Sequence, residues 1–529
     1  MNAGNAKHGG FKLTYATMFD PPPELHAKFD AAAARARTRL GAEHALYIDG
    51  ADVLCARKFE RRSPIHRDWT IGVFQDAGED AVGRAVAAAR RAFPEWAGLP
   101  WRDRVKLMRR AAQLIEERVF DIAAALALEV GKNRMEAIGE VQESADLILW
   151  YCDQMEEHNG YDRALPNDPL KGYISRNRSV LKPWGPWAVI SPFNFPLALT
   201  AGPAGAALVA GNTVVFKAAS DTPWAVRLFA EVLRDAGLPA GSFNYVTGAG
   251  GVAGAALVAH PSAAGITFTG SYEVGMDIQR AFALGRWPRP CIAEMGGKNA
   301  AIVSRNADIE RAALGIVRSA FGLQGQKCSA CSRVLVERPV AEALRGRLVE
   351  LAAAIRVGDP MLKENWMGPL INERACERYE RVCAEIRSAG TILCGGERLG
   401  GEGREAGAYC APTFAELGFE HALWRREMFL PLALVGEVDS LDEAIGRANE
   451  VDYGLTAGFY GSREETQHFL QRIEAGVTYV NRPQGATTGA WPGFQPFGGW
   501  KGSGSTGKAA GSFYYLTQYL REQSQTIVE

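Results

Sequence analysis

Phe321-Gly-Leu-Gln-Gly-Gln-Lys-Cys328-Ser-Ala-Cys-Ser-Arg333 sets a cysteine behind a Gly- and Gln-rich turn and ahead of the apolar run 334–336. A thiol in such a turn is suited to be a nucleophile once a base or a positive field forms the thiolate. Glu294 lies upstream in the apolar setting Ile292-Ala-Glu-Met295, where desolvation raises a carboxyl pKa toward that of a useful base. Taken singly, Cys328 is more often a packing residue and Glu294 an ion-pair partner. Their pairing favours catalysis.

Length and charge restrict the function classes. The chain has 529 residues, enough for two or three domains, and a formal net charge of -1, which argues against nucleic acid or an anionic membrane as partner. We find no secretory signal in residues 1–15, and no apolar run reaches the roughly 18 residues of a membrane span. The nine cysteines are scattered, which favours reduced thiols in the cytoplasm. Cys331 completes C-x-x-C with Cys328, but no second pair is spaced for zinc, so we predict no metal site and a packing role for Cys331.

Strands and helices alternate from about residue 187 onward. This alternation is typical of parallel sheets covered by helices, so we predict an α/β fold of two lobes with Glu294 and Cys328 near their junction. The first set comprises predicted strands at 188–190, 213–216, 243–247 and 266–269 and a helix at 224–236; the second comprises strands at 300–303 and 334–336 and helices at 309–321 and 340–355. Elsewhere the patterns predict helices at 81–96, 102–130 and 135–157, a hairpin or flap within 162–183, and a strand at 512–520 that could pair with another chain.

Three segments after predicted strands carry candidate binding groups. Asn194 lies in Ser191-Pro192-Phe193-Asn194-Phe-Pro196, where an amide can donate to an oxyanion, although an asparagine serving a turn is commoner. Lys217 ends a strand at the edge where nucleotides bind in α/β folds; a solvated lysine is the alternative. Gly270-Ser271-Tyr-Glu-Val-Gly275 opens a helix whose N–H groups attract phosphate, a weak signal by itself.

Two later segments add residues whose roles chemistry alone leaves open. They are Glu427 and Phe429 in Arg426-Glu-Met-Phe429-Leu-Pro431, and Phe497 in Gln495-Pro-Phe-Gly-Gly499. The order of all these segments is more specific than any one of them. It resembles the order found in the aldehyde dehydrogenase superfamily, over roughly residues 45–525.

That resemblance implies a domain organisation and a reaction. It implies a Rossmann-like dinucleotide-binding domain (40–161 and 184–295), an α/β catalytic domain (296–500) and a small β-flap oligomerisation region (162–183 and 501–529). The reaction is NAD(P)-dependent oxidation of an aldehyde to an acid, in which Cys328 forms a thiohemiacetal and then a thioester, Asn194 stabilises the oxyanion and Glu294 activates water. The implied partners are a small-molecule aldehyde and further copies of the chain, as a dimer or higher homo-oligomer. The implied cofactor contacts are Ser191, Pro192, Phe193, Lys217, Ser220, Gly270, Ser271, Gly275, Glu427 and Phe429.

Within the superfamily, the closest resemblance is to the L-glutamate γ-semialdehyde (1-pyrroline-5-carboxylate) dehydrogenases of proline catabolism. It rests on residues 325–333 and on Thr488-Gly-Ala490. In that subfamily the serine after the nucleophile and the Gly-Ala pair hold the substrate's α-carboxylate. The resemblance therefore implies substrate contacts from Ser329, Gly489 and Ala490, with Phe497 beside them.

The chain departs from the family pattern at several positions. Phe193 stands where Trp is frequent, and Leu430 replaces a glycine. Ser220 stands where the family has an acid that binds the adenosine ribose, so NADP is expected to be accepted as well as NAD. Trp491 and Pro492 adjoin the implied carboxylate anchor, which leaves the substrate pocket open to interpretation.

Other functions stay open at this stage. The substrate could be another semialdehyde or an aliphatic or aromatic aldehyde, and a relative that forms acyl-CoA or cleaves esters is a second rival. Glu294 as a hydrolytic base favours an acid product instead. A non-catalytic scaffold that retains the fold is the rival from another class, and the intact Cys328, Glu294 and Asn194 argue against it.

Overall fold

The computed structural model describes residues 21–169, 172–486 and 489–528. Thr488 of the implied substrate anchor, part of the implied flap and the first 20 residues lie outside these ranges. The α-helices are α1 Pro23–Arg37, α2 Glu79–Gly98, α3 Trp101–Glu117, α4 Val119–Val130, α5 Arg134–Glu157, α6 Ala198–Ala210, α7 Trp224–Asp235, α8 Ala255–Ala259, α9 Tyr272–Ala283, α10 Ile309–Phe321, α11 Arg338–Ala353, α12 Glu373–Ala389, α13 Leu441–Asn449 and α14 Arg463–Arg472.

The strands fall into two large sheets and three small ones. They are β1 Glu43–His44, β2 Leu46–Ile48, β3 Ala51–Val53, β4 Lys58–Arg62, β5 Thr70–Gln75, β6 Asp162–Leu165, β7 Ser175–Pro183, β8 Pro186–Ile190, β9 Thr213–Lys217, β10 Phe243–Val246, β11 Gly265–Thr269, β12 Cys291–Glu294, β13 Asn299–Val303, β14 Cys331–Glu337, β15 Gly390–Cys394, β16 Thr413–Leu417, β17 Leu432–Val438, β18 Tyr453–Gly454, β19 Thr456–Tyr460, β20 Val477–Val480, β21 Trp500–Lys501 and β22 Leu520–Val528.

The first large sheet has the strand order β12-β11-β8-β9-β10-β2-β3. Strands β12 to β10 run parallel, and β2 and β3 extend the sheet antiparallel. Every residue of β9 and β10 is buried, as expected for parallel strands covered on both faces. Helix α6 is rich in Ala and Gly so that it can approach α5: a Cβ at Gly205 would lie 2.7 Å from a side-chain carbon of Ile148.

The second large sheet has the order β15-β16-β17-β14-β13-β19-β20. All of its pairs are parallel except β15 with β16. Helices α10 and α11 contact β14, and α13 contacts β13. The α/β class and the predicted strand–helix alternation are therefore confirmed.

The chain crosses from the first sheet to the second between Glu294 and Asn299. Strand β12 ends at Glu294 and β13 begins at Asn299, so only residues 295–298 join the two sheets here. The carboxyl ends of β8, β9, β11 and β12 meet at this edge, because these strands are parallel neighbours. Open parallel sheets bind ligands at such an edge.

A three-stranded antiparallel sheet joins distant parts of the chain in the order β22-β7-β6. Residues 175–183 of β7 pair with 520–528 of β22, so the predicted flap strand exists. The prediction of a strand at 512–520 is wrong: a 3-10 turn occupies Leu516–Tyr519, and β22 pairs with its own chain. Tyr515 and Tyr519 are both buried. The Tyr519 hydroxyl hydrogen-bonds Thr267 Oγ1 in β11 at 2.9 Å, and the Tyr515 ring stacks on Tyr151. The aromatic residues thus belong to the core instead of a strand.

The helix predicted at 102–130 is in fact two helices. Arg118 separates α3 from α4 with φ −105° and ψ 15°, a break that the continuous apolar spacing does not reveal. In the described part of the chain, no helix combines the length and apolar character needed to cross a bilayer.

Candidate active site

Cys328 is presented by a tight turn after α10. Leu323, Gln324 and Gly325 have φ angles of 47°, 56° and 66°, and a Cβ at Gly325 would lie 2.1 Å from the Leu430 carbonyl oxygen, so only glycine fits there. The Cys328 carbonyl accepts a hydrogen bond from Asn299 Nδ2 at 2.6 Å. Burial raises the pKa of the Cys328 thiol to about 12, and the carboxylates of Glu427 and Glu294 raise it further, while backbone N–H groups favour the thiolate.

Glu294 lies at the end of β12, close enough to oppose charge on Cys328. Its backbone is fixed because Gly270 donates an N–H to its carbonyl at 3.1 Å and Met295 donates to Ser503 at 2.8 Å. Its Oε2 is buried and has no hydrogen-bond partner within the described ranges. Burial raises the pKa of this carboxyl to about 8, which suits a group that takes a proton near neutral pH.

Asn194 is buried beside the same turn. Its Nδ2 donates to the Gln326 carbonyl at 2.9 Å, and Gln326 Oε1 in turn accepts the N–H of Ile371 at 3.1 Å. One N–H of the Asn194 amide remains for a ligand. The three predicted catalytic residues are therefore gathered at the junction of the two large sheets.

The predicted cofactor residues of β8 and β9 line the edge described above. Lys217 is buried, and this burial lowers the pKa of its ammonium to about 8, while Asp221 opposes the shift. Ser191 Oγ is buried with no partner among described residues, whereas Ser220 Oγ donates to the Gly248 carbonyl at 3.0 Å. Pro192 is half-buried, and the following Phe193 packs edge-on against Phe429 with ring centres 5.7 Å apart.

The segment from Gly270 to Gly275 has clear structural reasons for its residues. Ser271 caps α9 by accepting the Val274 N–H at 3.4 Å. A Cβ at Gly275 would lie 2.4 Å from Met295 Sδ, and one at Gly270 would lie 2.4 Å from the Phe268 ring. Packing therefore accounts for both glycines, and their contact with a cofactor stays a prediction.

Glu427 reaches the linker that joins the two sheets. Its Oε1 accepts the Gly297 N–H at 2.9 Å, and burial raises the pKa of the carboxyl. A Cβ at Gly296 would lie 2.3 Å from Glu427 Oε2, so a side chain there would displace the carboxylate. Phe429 has φ 56°, a backbone conformation that is unusual for an aromatic residue. The next residue, Leu430, is buried.

Two of the implied substrate residues, Gly489 and Ala490, lie beside a carboxylate that the sequence analysis missed. Ser329 Oγ is buried without a partner in the described part of the chain, and Phe497 pairs with Ala510. A Cβ at Gly489 would lie 2.3 Å from Glu143 Oε1, and the Ala490 N–H hydrogen-bonds the Glu143 carboxyl. Burial raises the pKa of Glu143 to about 8.

Glu143 is one of three carboxylates along one face of α5. Glu136 Oε1 accepts the Leu323 N–H of the nucleophile turn at 2.8 Å. Glu140 Oε1 accepts the Leu197 and Ala198 N–H groups at 2.9 and 3.1 Å, at the start of α6. Helical spacing of positions 136, 140 and 143 is the only signal in the sequence for this arrangement.

Comparison with known proteins decides the family. The sequence profile described as "Aldehyde dehydrogenase family" matches residues 53–525. The chain belongs to the aldehyde dehydrogenase family. A 1-pyrroline-5-carboxylate dehydrogenase 1 of Halalkalibacterium halodurans is 36% identical over 95% of this chain and 96% of its own length. A 1-pyrroline-5-carboxylate dehydrogenase of Geobacillus thermodenitrificans matches with the same identity and coverage.

Solved structures agree with this aldehyde dehydrogenase over nearly its whole length. A Thermus 1-pyrroline-5-carboxylate dehydrogenase with bound NAD has a TM-score of 0.91 and 32% identity, covering 98% of this chain and 99% of that chain. Proline utilization A from Bdellovibrio bacteriovorus has a TM-score of 0.90 and 34% identity, covering 95% of this chain but 52% of that chain. The family resemblance and the fold implied by the motif order are confirmed.

Glu140→Gln is expected to destabilise this aldehyde dehydrogenase strongly. Glu140 and Lys132 form an ion pair whose two side chains are fully buried, and the substitution leaves the ammonium without its counter-charge. Breaking a buried pair on one side costs about 3–5 kcal/mol of unfolding free energy. Urea denaturation of both proteins measures the difference.

Glu156→Gln on the same helix is the matched control. Glu156 pairs with Arg109 at an exposed position, so its loss is expected to cost at most about 1 kcal/mol. Equal, small effects of the two substitutions would contradict a structural role for the buried pair.

Proposed function

We propose that this aldehyde dehydrogenase oxidises L-glutamate γ-semialdehyde to L-glutamate with NAD(P), in proline catabolism. The observation that carries the proposal is the meeting of Cys328, Glu294 and Asn194 beside an unpartnered Ser329 hydroxyl. The similarity to 1-pyrroline-5-carboxylate dehydrogenases over 95% of the chain supports the same substrate.

The chain's own residues supply the acid–base and covalent steps. The Cys328 thiolate attacks the aldehyde carbon, and the free N–H of Asn194 and the Cys328 backbone N–H stabilise the oxyanion of the thiohemiacetal. Once a thioester has formed on Cys328, Glu294 removes a proton from water, the water attacks the acyl carbon, and the acid leaves as the thiolate is regenerated. Because burial disfavours the thiolate of Cys328 in the free protein, positive charge brought by a ligand is expected to activate it.

The residues at the edge of the first sheet fit a dinucleotide. The Lys217 ammonium makes no hydrogen bond or ion pair to a described residue, and Ser191 Oγ is also unpartnered there, so both are available to ribose and phosphate oxygens. Bound there, NAD(P) supplies the acceptor for the hydride of the aldehyde. No carboxylate occupies position 220, and the Asp221 carboxylate is paired with Arg61 at 3.0 Å, which weakens its repulsion of a 2′-phosphate. NADP is therefore proposed to be accepted alongside NAD.

Glu143 extends the proposal to the amino group of the substrate. Gly489, Ala490 and Ser329 are proposed to hold the α-carboxylate, and Glu143 adjoins the first two. With a pKa of about 8 the free Glu143 carboxyl is mostly protonated near pH 7, but an adjacent α-ammonium favours its charged form, which attracts that ammonium and repels a carboxylate. We therefore propose that Glu143 faces the ammonium group and selects an amino acid semialdehyde over a simple alkanal.

Assembly, location and domain boundaries complete the proposal. Tyr173 and Ile174, just before β7, and Ile527 and Val528 of β22 are more than half exposed, which supports a homo-oligomer formed through residues 162–183 and 501–529. The dinucleotide-binding domain is proposed to comprise residues 40–161 and 184–295 and the catalytic domain residues 296–500, and the presence of two large sheets supports this division. A cytoplasmic location agrees with thiols that are all unpaired as disulfides in the described ranges.

Cys328→Ala is expected to abolish NAD(P)H formation from the semialdehyde, by at least roughly 10⁴-fold in kcat, since a covalent nucleophile is lost. Absorbance at the reduced nicotinamide band measures it, with circular dichroism as a folding check. Cys331→Ala is the control, because Cys331 is buried and its thiol donates only to the Arg333 carbonyl. A folded Cys328→Ala protein that still reduces NAD(P) would rule out the mechanism.

The rate of thioester hydrolysis is expected to rise with pH and level off above about pH 8. Glu294 has a pKa of about 8, so below that pH the carboxyl is mostly protonated and accepts no proton. Glu294→Gln should remove this rise and lower kcat by roughly 10²- to 10⁴-fold. Single-turnover kinetics from pH 6 to 9 test it, and an unchanged profile in the variant would assign the base elsewhere.

Glu143→Gln is expected to lower kcat/KM for glutamate γ-semialdehyde by roughly tenfold to a hundredfold, since a hydrogen bond to a charged group contributes about 1.5–3 kcal/mol. The value for propanal, which has no ammonium group, should change little and serves as internal control. A panel of aldehydes against NAD and NADP measures both. Similar kcat/KM of the wild type for propanal and the semialdehyde would contradict the proposed substrate.

A further inference from the structure

A cavity lies behind the nucleophile turn, the segment 323–327 that precedes Cys328. Its volume is about 440 Å³, and its walls come from α1, α5, the turn before Cys328 and the segments around Lys363 and Arg482. Among its described lining residues, none is a predicted catalytic, cofactor or substrate contact. Helix α1 also precedes residues 53–525, which the family profile matches, so part of this wall lies outside the family's common segment.

Lys327 gives this cavity a buried ammonium that makes no hydrogen bond to a described residue. The residue is 5% exposed and lines the cavity, yet no described residue offers its ammonium a hydrogen bond or ion pair. The ammonium lies over Gly322, where a Cβ would be 2.7 Å from Nζ. The nearest carboxylate, Glu136, accepts the Leu323 N–H with Oε1, while its Oε2 has no hydrogen-bond partner among the described residues, so it offsets the charge of Lys327 without bonding to it. A buried ammonium that makes no hydrogen bond is costly, so a bound anion with acceptor oxygens would stabilise this arrangement.

Other lining groups also favour an anion. Lys363 is exposed and has no ion-pair partner among the described residues, while Arg482 gives one N–H to Gln495 at 2.8 Å and keeps further donors of its guanidinium. Arg318 and Arg134 add a fourth and a fifth cation to the wall, and Arg134 is paired with Asp30 at 3.1 Å. Glu364 opposes them but is exposed. The cations therefore outnumber the carboxylates around the cavity.

We propose that this cavity is a binding site for a small anion with several acceptor oxygens, a phosphate or a dicarboxylate, held by Lys327, Lys363 and Arg482. Such an anion neutralises the cation next to Cys328 in sequence. A bound anion would also contact Arg482, which precedes Gly489 and Ala490 in the chain by only a few residues. The site therefore connects anion binding to the reactivity of the nucleophile.

Thermal unfolding with inorganic phosphate tests the site directly. At constant ionic strength, phosphate should raise the Tm of the full-length protein with a saturable dependence, because a ligand that binds only the folded state stabilises it. Lys363→Glu should weaken the apparent affinity by roughly fivefold or more. Lys106→Glu on α3 is the matched control, since Lys106 is exposed, does not line the cavity, and is paired with Asp103. Succinate, titrated in parallel, distinguishes a dicarboxylate from a phosphate site.

Alkylation of Cys328 provides a second readout that needs no turnover. Phosphate or succinate at a saturating concentration should slow the reaction of Cys328 with iodoacetamide several-fold in the wild type. The bound anion neutralises the positive charge of Lys327, which favours the Cys328 thiolate. In Lys327→Met the alkylation rate should not depend on the anion. Peptide mass spectrometry assigns the modified cysteine.

The proposal is supported when either probe raises Tm and this response weakens in Lys363→Glu but not in Lys106→Glu. It is overturned when neither probe raises Tm, or when the two variants respond alike. Both readouts are independent of the oxidation of any aldehyde, so their failure leaves the proposed function untouched.

Discussion

The active site depends on three carboxylates that α5 directs at backbone N–H groups of three different segments. Glu136 holds the nucleophile turn, Glu140 holds the start of α6 just after Asn194, and Glu143 holds the loop at Ala490. A helix is stiff, so spacing along α5 fixes the spacing of these three segments. The geometry of the site is thus set by a single element that contributes neither the nucleophile nor the proposed base.

Burial at the junction of the sheets explains most of the unusual acid–base properties of the site. The same desolvation raises the pKa of Cys328 and Glu294 and lowers that of Lys217. Each group is thereby biased toward its neutral form in the free protein. The thiolate of Cys328 is therefore expected to form mainly when a ligand or a reacting atom brings a counter-charge.

Local sequence pattern predicted the fold and the catalytic residues. Contacts between residues that are remote in sequence, such as Glu143 with Ala490, could not be predicted from it. Strand–helix alternation and the order of motifs led to the α/β fold, the family and the gathering of Cys328, Glu294 and Asn194. These features depend on short segments whose residue types are restricted by their own backbone. Glu143 was missed because its partner, Ala490, is remote in sequence, and nothing local marks an acid on a helix as facing inward.

In the C-terminal segment, local pattern predicted an element that tertiary packing does not form. Its aromatic residues predicted a strand, but Tyr515 and Tyr519 pack under the first sheet, and the strand begins only at Leu520. Propensity describes what a residue favours in isolation, whereas the hydroxyl of Tyr519 finds its partner on Thr267, on the neighbour of the strand that ends in Glu294. Loss of the Tyr519 anchor would therefore disturb both the C-terminal sheet and the strand beside the proposed catalytic base.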